Sequence, residues 1–236
     1  GTKQVLEDLY LPFKPRRRSK GLIAREAGIE PLADKLFADP ALDPVAAAAA
    51  FATAREGSWA ALAEAGFADV AAVLDGVRDI LSERWAEDAA LVGRLRDWLW
   101  AEGRLRAGLL AGKDENAAEV SKFRDYFDFD EAIRSVPSHR ALAVFRARAL
   151  DILELRLSPP DDDGTAAVSA AEGRIARHLG WRHAGRAADD LLRRCIAWTW
   201  KVKLSLSLER DLFGRLREEA EGTAIKVFGH NLRDLL

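Results

Sequence analysis

The spacing of apolar residues between positions 67 and 85 constrains this chain most. Phe67, Val70, Val73, Leu74, Val77, Ile80, Leu81 and Trp85 recur at intervals of three and four. That period matches the α-helical turn and gathers these side chains on one helix face, which must be buried. Leu91, Leu95, Trp98, Leu99 and Leu105 carry the pattern into the next segment. Asp43-Pro44 reads as an N-cap followed by proline at the first helical position, opening the alanine-rich run 45–50. Alanine has the highest helix propensity, so this run is helix and not a low-complexity coil. Pro137-Ser138 starts another helix with Ser138 as its cap, and Ile175–Leu179 ends at Gly180, a C-cap residue. Strand character is confined to 151–157, where Ile152, Leu155 and Leu157 alternate with charges but Leu153 breaks the alternation. The expected fold is therefore mainly α, an irregular multi-helix array with at most one short strand near 151–157.

Pro159-Pro160-Asp161-Asp162-Asp163-Gly164 is a loop by its turn chemistry and marks the main internal boundary. Three stretches result: a connector with short helices over 1–40, a helical domain over 41–158, and a helical segment over 166–236. The 236 residues suffice for one large or two small helical domains. A hydrophobic fraction of 49% with a net charge of only −2 excludes a disordered chain and a polycation. Any affinity for nucleic acid must then come from local patches. Cys195 is the single cysteine, so no internal disulfide forms, in keeping with a reducing cytoplasmic compartment. No apolar run approaches the roughly 20 residues that span a bilayer. The chain has no methionine and begins and ends inside helix-like patterns, as expected of a part taken from a longer protein.

The sharpest charge feature is Lys14, Arg16, Arg17, Arg18 and Lys20, with Tyr10 and Phe13 beside it. Pro12 and Pro15 keep the backbone extended there. Cations next to aromatic rings can neutralise phosphate and stack on bases. The competing reading, weighted more heavily, is that these cations pair with some of the 38 acidic residues and tether the connector. Arg94, Arg96, Arg104, Arg106 and Lys113 form a second basic stretch on an expected helix, diluted by Asp97 and Glu102 and read as a solvated face. Arg193, Arg194, Lys201 and Lys203 flank Trp198 and Trp200, which within an apolar run are read as core.

Chemistry is thinly represented. His139, His178, His183 and His230 are scattered, and one cysteine cannot complete a zinc set. Asp161–Asp163 lacks the spaced ligands of a calcium loop. There is no phosphate-binding glycine loop, dinucleotide fingerprint or nucleophile elbow, so no cofactor is expected. Glu83, Glu87 and Asp88, and Glu218, Glu219 and Glu221, read as solubilising charge, and Cys195 as a buried thiol.

Leu6-Glu7-Asp8-Leu9-Tyr10-Leu11-Pro12-Phe13-Lys14-Pro15-Arg16-Arg17-Arg18 resembles a signature near the front of the Tex family of transcription accessory proteins. Ile23-Ala24-Arg25-Glu26-Ala27-Gly28 matches the short helix that follows it in that family. Ala86-Glu87-Asp88, Lys122-Phe123-Arg124-Asp125-Tyr126-Phe127, Pro137-Ser138-His139-Arg140-Ala141-Leu142, and Leu216–Glu221 through Asn231–Leu236 fall in the family's order. Two departures stand out. The usual Tyr-Lys-Pro-Lys is Phe13-Lys14-Pro15-Arg16 here, and Gly222 and Gly229 interrupt the closing helix. The resemblance implies a bacterial relative of a eukaryotic transcription elongation factor, with a helix-turn-helix-like element in this region. Ribonuclease-H-like, helix-hairpin-helix and S1 domains would follow beyond it. It further implies a non-catalytic scaffold within a factor that binds RNA or DNA in its full-length form, with RNA polymerase or other transcription proteins as further partners. A docking module that never meets nucleic acid is the alternative. It predicts an exposed apolar patch including Trp98, Trp100 or Trp181.

Overall fold

The computed structural model describes residues 18–54, 58–160 and 166–234. Ten α-helices account for most of them: α1 (Lys20–Glu26), α2 (Glu30–Ala38), α3 (Pro44–Ala54), α4 (Ser58–Glu64), α5 (Val70–Ala86), α6 (Ala89–Glu102), α7 (Ser138–Ala149), α8 (Ala170–His178), α9 (Asp189–Trp198) and α10 (Ser205–Asp234). A π-helical turn, Thr199–Leu204, joins α9 to α10. The mainly helical expectation holds. The chain divides into two compact units. One comprises the described residues up to Glu83 together with Gly185–Leu192, and the other those of Arg84–Ala184 and Arg193–Leu236.

In the first unit the predicted apolar face of α5 is buried: Val73, Val77, Ile80 and Leu81 are fully inaccessible, as are Ile29 and Leu36. Each such side chain contributes roughly 1.5–3 kcal/mol relative to exposure. Asp43 caps α3 as expected, its Oδ1 accepting from the Ala46 amide at 2.8 Å. Helix α1 is capped by Ser19, whose Oγ accepts from the Leu22 amide at 3.0 Å and donates to Glu83 Oε1 at 2.8 Å. The cap thereby ties α1 to α5. The close crossing is permitted by Gly21, where an added Cβ would lie 2.9 Å from the Asp79 carbonyl oxygen. Asp189 is fully buried and takes three bonds from Arg186: the backbone amide at 2.9 Å, Nε at 3.1 Å and a terminal guanidinium nitrogen at 2.8 Å. That bonding holds the Arg186 guanidinium above its ordinary pKa.

The second unit corrects the strand expectation. It holds a three-stranded antiparallel sheet, β1 (Arg104–Leu109), β2 (Asp128–Ala132) and β3 (Leu153–Ser158), in the order β2-β1-β3. Leu105, expected to prolong the preceding helix, lies in the central strand instead, opposite Glu131 and Leu157. Helix α6 ends one residue after the last helical position at Gly103, whose backbone is extended (φ −67°, ψ 158°). From there period two takes over: Leu105 and Ala107 face inward, while Arg104 and Arg106 reach Asp130. Ser138 is likewise not a cap but the first helical residue of α7, preceded by Pro137. Helix α10 runs unbroken for 30 residues through Gly222 and Gly229.

Asp88 caps α6, its Oδ1 accepting from the Ala90 and Leu91 amides at 2.9 and 3.1 Å. Its other oxygen lies 2.9 Å from His178 Nε2 on α8. The His178 bond, then the Leu91 and Ala90 amides, hold this carboxyl below the ordinary carboxylate range. A depressed folded pKa contributes stability that is present above the unfolded value, about 3.9, and is lost as pH falls through the folded one. Asp88→Asn should keep the cap but flatten that acid limb. Urea midpoints taken at descending pH check it; a limb as steep as the parent's would contradict the assignment.

Candidate functional site

Of the connector cations, Lys14, Arg16 and Arg17 lie outside the described residues. Arg18 and Lys20 are exposed at the head of α1, and the Arg18 guanidinium pairs with Glu26. The second basic stretch does not gather into a patch. Arg96 pairs with Asp211 at 3.0 Å, and Arg104 and Arg106 share Asp130 from strand β1, not from a helix. Trp98 and Trp100 are buried (6% and 8% exposed), beneath the guanidinium groups of Arg174 at 4.3 Å and Arg215 at 3.8 Å. They therefore contribute no exposed apolar patch, whereas Trp181 is half-exposed.

The third basic group is different. Trp200 is core, as expected, and Trp198 is half-buried. Arg193, Arg194 and Lys201, however, line a groove of about 520 Å³ in the second unit, facing Arg177, Arg182 and Trp181. The groove is built from local backbone chemistry. Helix α8 opens with a capping box: Ser169 Oγ accepts from the Glu172 amide, and the Glu172 carboxylate accepts from the Ser169 amide at 2.7 Å. Glu172, the one carboxylate in the lining, is consumed there and is 5% exposed. The helix closes with a Schellman motif. Gly180 adopts φ +66°, its amide donates to Arg177 O at 3.2 Å, and the Trp181 amide donates to Ala176 O at 3.0 Å. Just beyond this turn the Trp181 ring meets that of His183 edge-to-face, with centroids 6.2 Å apart.

The opposite wall is the carboxyl half of α9. Arg194, Ala197 and Lys201 follow at intervals of three and four and share a face. Beyond Trp198 the π-turn begins, and the fully buried Thr199 donates its hydroxyl to the Cys195 carbonyl at 2.7 Å. Such back-bonding bends helices, and π-turns recur at functional sites. The floor between the walls is aliphatic, Ala176, Ile196 and Ala197, with Val168 at one edge. Chemically this arrangement suits an anionic ligand with an apolar face. Arg193, Arg194 and Lys201 stand close together in the sequence; Arg177 and Arg182, on either side of the turn at Gly180, join them only in the fold.

Glu219 and Glu221 pair with Arg215 and Arg217 along α10, and Cys195 is fully buried. Among the described residues no three His, Cys, Asp or Glu side chains converge to hold a metal. None of the helices there is long and apolar enough to cross a membrane.

Comparison with known proteins places this architecture. The family profile described as Tex central region-like matches residues 39–228. Protein YhgF of Escherichia coli is 48% identical over the whole chain, and Protein tex of Bordetella pertussis 46% identical over the same extent. Transcriptional accessory protein Tex of Neisseria gonorrhoeae is 43% identical over 99% of it. The chain spans 29% of the length of each of these relatives. The profile match and this agreement along the chain establish that it belongs to the Tex family.

Proposed function

We propose that this region is a non-catalytic helical scaffold of a transcription accessory factor, and that the factor binds nucleic acid in its full-length form. The observation that carries the proposal is the 43% identity, along nearly the whole chain, to a relative named a transcriptional accessory protein. On this reading the core of the second unit braces the remainder of the factor, and the basic connector supplies phosphate contacts. Lys14, Arg16, Arg17, Arg18 and Lys20 are the contact residues. The Arg18–Glu26 pair is exposed and worth at most about 1 kcal/mol, so a phosphate can displace it. The helix-turn-helix-like element of this reading is α1 and α2, joined by Ala27, Gly28 and Ile29 with Gly28 at φ +77°.

Each phosphate neutralised steepens the dependence of log affinity on log salt by about 0.9 on duplex DNA and 0.7 on single strands. Reversing Arg16, Arg17 and Arg18 to Glu should therefore reduce the slope by about 2–3 and weaken binding more than ~10-fold at low salt. Filter binding to single- and double-stranded nucleic acid over about 50–200 mM salt reads both. An unchanged slope would remove the connector from the contact. No binding by the parent chain at low salt would leave the bracing role alone.

A second reading, a protein-docking module, is favoured by one specific observation, the cation-rimmed apolar groove.

A further inference from the structure

The connector proposal makes no use of the groove between α8 and α9, although the groove concentrates positive charge in a chain whose net charge is −2. Arg177, Arg194 and Lys201 are exposed on its rim, and none has an ion-pair partner among the described residues. The lining carboxylate, Glu172, is turned away into its capping box. The floor offers methyl and methylene groups, and at Gly173 an added Cβ would meet nothing within 4 Å, so the wall is open to a closely approaching ligand. Val168 is 48% exposed at one edge.

We propose that this groove docks an acidic amphipathic segment of a partner protein, with Leu, Ile or Phe side chains on the aliphatic floor and Asp or Glu on the rim. Charge complementarity selects the acidic character. A basic segment would be repelled by three rim cations and a neutral one would leave them unpaired, whereas an acidic one is steered onto them. The floor selects a peptide over a nucleic acid. Nucleobases carry donors and acceptors around their edges, and an aliphatic floor would leave these unsatisfied at a cost of about 1–3 kcal/mol each. A leucine side chain carries none. Stacking platforms for unpaired bases rely on successive aromatic faces, whereas the two aromatic rings of this groove, Trp181 and His183, stand edge-to-face at 79°. An amphipathic helix binds by laying its apolar face into such a groove while its polar residues meet the rim. The proposal deepens the docking reading given above, on which it rests, and stands whether or not the connector binds nucleic acid.

The test uses the 236-residue chain and a fluorescein-labelled peptide of about four helical turns, with Leu at intervals of three and four and Glu elsewhere. The peptide should bind the parent chain and release as salt rises. Gly173→Leu should weaken binding at least ~10-fold by filling the groove. It should leave the thermal midpoint at or above the parent's, because leucine is the better helix former and its Cβ meets open space. Arg194→Glu with Lys201→Glu should weaken binding by a similar factor, and Arg16→Glu with Arg17→Glu should not. A peptide with Leu replaced by Ser should fail to bind. The proposal is overturned if the parent does not bind the peptide, if Gly173→Leu binds it as the parent does, or if the Ser peptide binds equally. It is also overturned if a single-stranded oligothymidylate displaces the peptide and is itself lost on Gly173→Leu, which would assign the groove to nucleic acid.

Discussion

Replacing Leu105 with alanine should destabilise the second unit by about 3 kcal/mol, within the 2–5 kcal/mol typical of buried leucines. Leu105 is fully buried in β1, the central strand, which is hydrogen-bonded on both sides. The lost transfer energy is one part of the cost. The other is the cavity, which the surroundings cannot easily fill, because a strand hydrogen-bonded on both sides cannot sag inward. Six of the seven tryptophans (Trp85, Trp98, Trp100, Trp181, Trp198 and Trp200) belong to this unit, so indole fluorescence reports mainly on its unfolding. The urea midpoint should fall with the slope unchanged, and the thermal midpoint should drop by about 6–12 °C. A loss under about 1 kcal/mol would mean that the sheet is not the centre of this unit.

Leu105 also shows what the sequence exposes and what it hides. Helix α5 was legible because its face repeats over five turns, and a long pattern admits one period. Strand β1 is six residues long and follows a helix directly. Leu105 therefore read as one more apolar residue after Leu99, although Arg104-Leu105-Arg106-Ala107 alternates strictly. Asp128-Phe129-Asp130 alternates too, but over three residues that pattern is indistinguishable from a loop. The strands became strands because they pair across long separations, which no local window records. The groove was hidden for the same reason. Arg194 and Lys201 are marked by helical spacing, whereas Arg177 and Trp181 reach them only through the left-handed turn at Gly180.

Two glycines that look alike in sequence should respond oppositely to alanine. Gly21 and Gly173 both lie inside short helices, α1 and α8, where alanine is favoured over glycine by up to about 1 kcal/mol. At Gly173 nothing opposes that gain, since the new Cβ meets no atom within 4 Å, so Gly173→Ala should stabilise the chain by up to about 1 kcal/mol. At Gly21 the Cβ would fall 2.9 Å from the Asp79 carbonyl and against the Glu83 carboxylate. Glu83 is held by Ser19 and cannot swing aside without releasing the bond that ties the cap of α1 to α5. The Asp79 carbonyl belongs to the backbone of α5 and can move only with the helix. Overpacking of this kind typically costs 1–3 kcal/mol, more than the propensity gain, so Gly21→Ala should lose about 2 kcal/mol. Calorimetry on the two variants reads the signs directly. Should Gly21→Ala prove neutral or stabilising, α1 and α5 would be further apart than the Ser19–Glu83 bond places them. That would also remove the geometric reason for a glycine at this position.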